Sequence, residues 1–239
     1  MFSQLKSDID CVKKRDPACR GTLDVLFCYP GFRAVRTYRA AHALYTHGFK
    51  FLARLLSEWC RFFTGVEIHP AAVVGKRLFI DHGAGVVIGE TSVLGDDVTL
   101  YQGATLGGTG KETGKRHPTV GSHVTVSAGA AVLGPLNIGD YAKVGAGAVV
   151  LTDVPRFATV VGVPGRVVRM NGCPLSCRDD CTCKDVTKCP RTEERPGEAG
   201  VDLDQVHLPD PVMQQIALLS KRIGELESRL DKEAPDRAD

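Results

Sequence analysis

The chain has 239 residues, 43% of them hydrophobic, and a formal net charge of only +2. This composition is ordinary for a globular chain, so we expect one main domain with appendages and no nucleic-acid partner. The N-terminus lacks the charged-then-apolar layout of a signal peptide, and no apolar run reaches transmembrane length. We therefore expect a cytoplasmic protein without a membrane partner.

Helices are predicted for residues 1–65. Apolar residues recur every three or four positions from Gly31 to His47 and again from Phe51 to Phe63, which is the period of an amphipathic helix. Gly48 and Gly65 follow these segments, and glycine commonly ends a helix. Residues 1–65 are therefore assigned to an α-helical N-terminal region.

The next part of the chain repeats every six residues. An aliphatic residue opens each unit, and a small or acidic residue follows most of these openers, which are Ile68, Val74, Ile80, Ile88, Leu94, Leu100, Leu106, Val120, Val126, Val132, Ile138, Val144 and Val150. A period of six fits neither a helix nor simple strand alternation. It is typical of hexapeptide repeats, in which three short strands form one coil of a triangular prism. We therefore predict a mainly β fold, a parallel β-helix, over residues 66–170.

The first interruption of the repeat, Gly83–Val87, directly follows His82. An imidazole titrates near neutrality and can take a proton from a hydroxyl, so His82 is a candidate general base. Glu67 lies fifteen residues earlier, and one coil contains about eighteen residues, so its carboxylate could reach the ring from an adjacent coil. The alternative is a surface histidine at the edge of a coil, and spacing alone does not decide between the two.

The second interruption, Gly107–Thr119, is rich in glycine and basic residues. We interpret it as an arm that reaches over a neighbouring subunit, because the Arg116 side chain can bind a carboxylate through two parallel hydrogen bonds. The alternative is a flexible surface loop. Its glycines match neither the dinucleotide-binding motif nor the phosphate-binding loop of nucleotide triphosphatases.

The remaining sequence has a different character. Residues 171–200 are interpreted as an irregular insert, because they contain five clustered cysteines, namely Cys173, Cys177, Cys181, Cys183 and Cys189. These thiols suffice for a zinc site or an iron–sulfur cluster, although their spacing fits no standard motif, and redox-active or inert thiols are the alternatives. Residues 201–239 are predicted to be a helical tail, because apolar residues from Val212 to Leu230 recur at spacings of three and four.

Several motifs, taken together and in this order, resemble the serine O-acetyltransferases, a hexapeptide-repeat acyltransferase family. They are FIDHGAGVVIGE, TLGGTGK, KRHP, VGAGAVV and GVPGR, and the resemblance covers about residues 5–170. It implies a left-handed β-helix that transfers acetyl from acetyl-CoA to the hydroxyl of L-serine, giving O-acetylserine in cysteine biosynthesis. It also implies feedback inhibition by L-cysteine.

The resemblance also implies roles for individual residues. His82 is implied as the general base, and Glu67 stands where the family has the aspartate that orients it. Asp16 and Asp81 are implied to bind the substrate ammonium group. Arg116 is implied to bind its carboxylate, and His117 is implied to lie beside its side-chain oxygen. Acetyl-CoA would lie in a groove between two prisms, beside Gly108, Thr109, Ala128, Lys143 and Ala146.

Two further expectations concern assembly. The region that precedes Arg15-Asp16-Pro17-Ala18, which matches the RDPA motif of the family, is shorter than in long family members. The resemblance implies that the missing part is what pairs two trimers in that family, so we expect a homotrimer rather than a hexamer. The resemblance names O-acetylserine sulfhydrylase as a partner that takes a C-terminal peptide ending in isoleucine. The given sequence ends in Arg237-Ala-Asp239, which argues against that complex.

Two other functions stay open at this point. An acyltransferase acting on homoserine or a sugar would keep the fold and coenzyme A, although the sugar enzymes lack the RDPA helices and the KRHP loop. A non-catalytic, metal-binding prism would need histidines at the coil edges, for which the candidates are His69, His82, His117 and His123.

Overall fold

The computed structural model describes residues 2–110, 113–170, 173–174 and 211–233. Four helices precede the first strand, namely α1 (Phe2–Arg15), α2 (Thr22–Cys28), α3 (Pro30–Thr46) and α4 (Lys50–Thr64). A proline is well suited to the first turn of α3, because its missing amide hydrogen has no partner there. Helix α4 ends at Gly65, whose φ of 71° is left-handed and favours glycine. The two helices predicted from the apolar period are confirmed.

Short strands follow the helices, and most contain two residues. They are β1 (Glu67–Ile68), β2 (Val73–Val74), β3 (Phe79–Ile80), β4 (Val87–Ile88), β5 (Val93–Leu94), β6 (Thr99–Leu100), β7 (Thr105–Gly107), β8 (Thr119–Val120), β9 (Thr125–Val126), β10 (Ala131–Leu133), β11 (Asn137–Ile138), β12 (Lys143–Val144), β13 (Val149–Val150), β14 (Ala158–Val161), β15 (Arg166–Met170) and β16 (Cys173–Pro174). A separate helix, α5, spans Pro211–Glu233.

The strands form three sheets that the chain visits in turn. Sheet A has the order β1-β4-β7-β10-β13, sheet B the order β11-β8-β5-β2, and sheet C the order β16-β15-β14-β12-β9-β6-β3. Pairing is parallel until β14, after which β15 and β16 pair antiparallel and close the last coil. The hexapeptide β-helix predicted from the sequence is confirmed. Its corners are named AB, BC and CA after the two sheets that each corner connects.

The predicted openers fill the inside of the prism. Every one of them lies in a strand and is buried, with Ile88, Leu100, Leu106, Val132 and Val144 fully so. Burial of one such side chain contributes about 1.5–3 kcal/mol. The opener of each coil pairs with the opener of the next, as Ile88 does with Leu106, so the aliphatic stack continues along the axis.

Both interruptions of the period are extra residues at corners. Ile68 pairs with Ile88, twenty residues later, whereas Ile88 pairs with Leu106, eighteen residues later. The additional two residues lie in the CA turn between β3 and β4, and the longer insertion after β7 lies at corner AB. The strands therefore stay in register, and only the corners change.

Charged and polar side chains dock the helices on the prism. The guanidinium of Arg15, the last residue of α1, donates hydrogen bonds to Thr99 Oγ1 at 2.9 Å and to the carbonyl oxygen of Asp97 at 3.0 Å. Burial raises the pKa of the Asp97 carboxyl, but the hydrogen bonds from Arg77 together with the positive charges of Arg77 and Arg15 outweigh this effect and hold the pKa below its usual range. On α3, the Tyr38 hydroxyl donates to the carbonyl oxygen of Ala72 at 2.5 Å.

Two helices present apolar side chains to the outside of this chain. Helix α4 buries small residues, Ala53 and Ser57, and leaves six large ones exposed: Phe51, Leu52, Leu55, Trp59, Phe62 and Phe63. The side chains of α5 that repeat at heptad spacing are also exposed, namely Ile216, Leu219, Ile223 and Leu226. Among the described residues, no helix is long and apolar enough to cross a membrane.

The start of α3 approaches the prism so closely that only glycine fits. A Cβ atom at position 31 would lie 2.0 Å from the carbonyl oxygen of Ile80 and 2.7 Å from its Cβ atom. Both are backbone-proximal atoms that cannot rotate away. The contact therefore fixes the height of α3 against strand β3, just before the turn that carries Asp81 and His82.

The Gly31→Ala substitution should lower the free energy of unfolding by about 1–3 kcal/mol, the usual cost of overpacking, although alanine is the better helix former by about 1 kcal/mol. Gly21→Ala is the matched control, since a Cβ atom there meets nothing within 4 Å. Denaturant unfolding at equal protein concentration measures both. Equal stabilities of the two variants would contradict the close contact.

Candidate active site

The turns at corner CA form a continuous column. Backbone amides of three glycines each donate to the turn of the preceding coil: Gly103 to Ala84 O, Gly129 to Gln102 O, and Gly147 to Ala128 O, at 2.8–2.9 Å. All three glycines have positive φ, which costs them little. This column carries His82 at its start and the predicted cofactor residues Ala128 and Ala146 further along, so the structure brings these residues to one edge.

Asp81 and Asp16 both lie near Tyr101, which follows strand β6 at the start of a turn of corner CA. Asp81 follows strand β3, and Asp16 directly follows α1, where its Oδ2 accepts a hydrogen bond from the Tyr29 hydroxyl at 2.5 Å. The pKa of Tyr101 is raised by burial and also by the negative charges of both aspartates. Two carboxylates near one point suit the binding of an ammonium group.

His82 is exposed and adopts a left-handed backbone conformation with φ of 56°. Its amide donates to Asp81 Oδ1 at 3.0 Å, which fixes the backbone of the turn and leaves the ring free to approach a ligand. The predicted partner Glu67 lies in β1, paired with Val87, and within the described chain its carboxylate has one ion-pair partner, Arg61 at 3.8 Å. No hydrogen bond joins Glu67 and His82 in this chain.

Arg116 and His117 lie at corner AB, not at corner CA. The guanidinium of Arg116 donates to Glu90 Oε2 at 2.8 Å, and the His117 ring is buried, with 8% of its surface exposed. Burial lowers the pKa of His117, and the charges of Arg116 and Lys115 lower it further, whereas that of Glu90 raises it. The predicted cofactor residues Gly108 and Thr109 belong to the same corner, and both are exposed.

Two residues at this corner were missed by the sequence analysis. Glu90 holds Arg116, and the Thr91 hydroxyl accepts hydrogen bonds from the amides of Arg116 and His117, both at 3.1 Å. The sequence could have indicated them, because they lie in the corner AB turn one coil before the second interruption. A turn at that position packs against the inserted loop and must support it.

The residues predicted for one site therefore lie at two separate corners of this chain. Asp81, His82 and the small residues of the column lie at corner CA, and Arg116 with His117 lies at corner AB. These corners are joined by sheet A, which stands between them. Lys143 lies in strand β12 of sheet C, which leads directly into the corner CA turn that contains Ala146. Within this chain, the residues predicted to bind one ligand therefore do not meet.

Comparisons with known proteins identify the family of this chain. The family description "Serine acetyltransferase, N-terminal" matches residues 1–37. A serine acetyltransferase of Bacillus subtilis (strain 168) is 49% identical over 230 residues, which is 96% of this chain and 95% of that protein. The chain belongs to the serine acetyltransferase family. Members of this family are acyltransferases.

Solved structures agree with this family assignment. A serine acetyltransferase from Brucella abortus strain S19 in complex with coenzyme A superimposes with a TM-score of 0.70 at 44% identity, over 72% of this chain and 69% of that one. A serine acetyltransferase in complex with cysteine superimposes with a TM-score of 0.69 at 45% identity, over 71% and 66% of the two chains. The fold and the two bound ligands are thus known together in this family.

The four histidines considered for a metal-binding prism do not gather at one corner of this chain. His69 and His117 lie at corner AB, His82 at corner CA and His123 at corner BC. Within the described residues, no group of three or more histidine, cysteine or acidic side chains could hold a metal ion. Four cysteines of the predicted cluster, Cys177 to Cys189, lie outside those residues, so a zinc or iron–sulfur site there stays a prediction.

The His117 ring rests directly on the backbone of Gly89, where a Cβ atom would lie 2.0 Å from the ring carbon Cδ2. We therefore expect Gly89→Ala to displace the ring and to lower kcat/KM for the acceptor by about 10- to 100-fold, the cost of a small misplacement. In a His117→Ala background the same change should cost almost nothing. Steady-state kinetics of the four proteins test this, and additive losses would contradict the contact.

Proposed function

We propose that this chain transfers the acetyl group of acetyl-CoA to the hydroxyl of L-serine, giving O-acetylserine and coenzyme A. The observation that carries the proposal is the column at corner CA, which aligns His82 with a track of small residues beside which a thioester arm can lie. Membership of the serine acetyltransferase family supports the same reaction.

His82 is the proposed general base. Its ring nitrogen takes the hydroxyl proton of serine while that oxygen attacks the thioester carbonyl carbon and forms a tetrahedral intermediate. Collapse of the intermediate breaks the C–S bond, and the protonated His82 returns the proton to the leaving thiolate. Glu67 is the proposed carboxylate that orients this imidazole once substrate is bound, in the manner of a histidine–acid dyad.

The two corners would bind opposite ends of the amino acid. Asp16 and Asp81 attract its ammonium group, and Arg116 binds its carboxylate with His117 beside the side-chain oxygen. The guanidinium is planar and forked, so it can bind a carboxylate through two hydrogen bonds. L-cysteine has the same ammonium and carboxylate, so it would occupy this site and act as a competitive inhibitor. The family member solved with cysteine bound supports this assignment.

Acetyl-CoA is the proposed acetyl donor, placed along corner CA. Ala128 and Ala146 leave the backbone open to the pantetheine arm, and the Lys143 ammonium would lie near the phosphates. Gly108 and Thr109 would close the groove from the neighbouring subunit. The family member solved with coenzyme A supports a site for this ligand on this fold.

A homotrimer is the proposed assembly. Threefold symmetry would place corner AB of one prism against corner CA of the next, making three equivalent grooves. The exposed apolar side chains of α4 support the idea of a partner subunit, because apolar patches of this kind mark protein interfaces.

Substitution of the proposed base tests the reaction. We expect His82→Ala to lower kcat for serine-dependent release of coenzyme A by about 100- to 10,000-fold. His47→Ala, on the exposed end of α3, should leave turnover unchanged. Thiol release is followed with serine, homoserine and a hexose as acceptors. Release of coenzyme A with another acceptor but not with serine would contradict serine as the substrate. Near-normal turnover of His82→Ala would contradict His82 as the general base.

A mixture of two inactive variants tests the shared groove. His82→Ala and Arg116→Ala damage opposite corners, so co-expressed chains should form some grooves that contain two intact corners. Random association into trimers predicts recovery of about a quarter of normal activity, since each groove draws its two corners independently. Absence of any recovery in verified mixed trimers would place the complete site in one chain.

A further inference from the structure

The Thr91 hydroxyl makes three hydrogen bonds, and their directions can be assigned. It accepts from the amides of Arg116 and His117, each at 3.1 Å. It also lies 2.9 Å from Nδ1 of the His117 ring. A hydroxyl has one hydrogen and two lone pairs. Because both lone pairs are occupied by amide donors, the hydroxyl hydrogen is directed to Nδ1.

A second donor reaches the same ring nitrogen. The backbone amide of Thr91 donates to Nδ1 at 3.2 Å, and an amide nitrogen cannot accept a hydrogen bond. Nδ1 is therefore an acceptor and carries no proton. A neutral imidazole that lacks a proton on Nδ1 carries it on Nε2.

The surroundings also keep the ring neutral. The ring is buried against Gly89, and the charged groups that act on it are Arg116, Lys115 and Glu90. The Glu90 carboxylate already accepts a hydrogen bond from Arg116, so it offers little to a second cation. The nearby His69 is itself half-buried with a lowered pKa. Protonation of His117 would set an Nδ1 hydrogen against the Thr91 amide.

We propose that Thr91 is the positioning residue that holds His117 as a neutral imidazole with its proton on Nε2, so that His117 serves as a hydrogen-bond donor to the acceptor hydroxyl and not as a base. This inference rests on the proposed function of the site. Among the described residues, no atom of this chain accepts a hydrogen bond from Nε2, which leaves that donor for a ligand.

The arrangement directs the reacting hydroxyl. Its oxygen has two lone pairs and one hydrogen. If His117 Nε2–H occupies one lone pair and the hydrogen is directed to His82, the remaining lone pair is free to attack the thioester carbon. His117 gains and loses no proton in this step, and one histidine acts as base while the other orients the hydroxyl.

Two substitutions separate the hydroxyl from the shape of the side chain. Thr91→Ser keeps the hydroxyl, and Thr91→Val keeps the volume without it. We expect Thr91→Val to lower kcat/KM for serine by about 10- to 100-fold, with KM for acetyl-CoA unchanged, and Thr91→Ser to restore most of the loss. Thr152→Val, in the last turn of the same corner, is the matched control and should be normal.

The tautomer of His117 is measured directly by NMR of the full-length protein labelled with 15N-histidine, and His117→Ala is used to assign its signals. At neutral pH the His117 signals should show an unprotonated Nδ1 and a protonated Nε2, and Thr91→Val should raise the His117 pKa. A proton on Nδ1 in the wild-type protein, or Thr91→Val kinetics within twofold of normal, would overturn the proposal. Because this readout needs no turnover, a wild-type protein that lacks serine-dependent activity would contradict the proposed function alone.

Discussion

The stacking of one coil on the next is the constraint on which the rest of the structure depends. The buried aliphatic stack and the parallel backbone ladders hold each coil in register, because a slip of one residue would move the whole buried set to the outside. Insertions are therefore confined to corners, and a residue that follows an insertion returns to the same edge of the prism. Which corner a side chain occupies then decides which other side chains it can meet. His82 and Arg116 lie at different corners, and no local adjustment within one chain can bring them together.

The N-terminal helices add what the repeats lack. A regular coil offers small and aliphatic residues, whereas the candidate site needs an additional carboxylate near Asp81. Asp16 supplies it from the end of α1, and the Arg15 hydrogen bonds to Thr99 and Asp97 hold that end against sheet C. Gly31 sets the height of α3 on the same coil.

The sequence was sufficient for the parts of the structure that repeat. A period of six predicts which residues face inward, and each opener from Ile68 to Val150 is buried inside the prism. The interruptions also predicted the two corners at which the candidate residues lie, Asp81 with His82 at corner CA and Arg116 with His117 at corner AB. The residues that hold that site together were not predictable, since Thr91 serves Arg116 and His117 across a gap of about a whole coil that only the folded backbone closes. The outward apolar face of α4 was equally hidden, because a helical period states that a face is apolar but not what covers it.

In the proposed trimer, each half of the groove would already be held by hydrogen bonds within its own chain before the subunits assemble. At corner AB, the Arg116 fork is held by Glu90, and the His117 ring is held by Thr91 and supported by Gly89. At corner CA, the His82 backbone is held by Asp81. Each half is therefore ordered by contacts within its own chain, and assembly needs to order few additional side chains. Because ordering at an interface costs about 0.5–1.5 kcal/mol for each mobile side chain, preformed halves leave more of the association energy for alignment of the reacting groups.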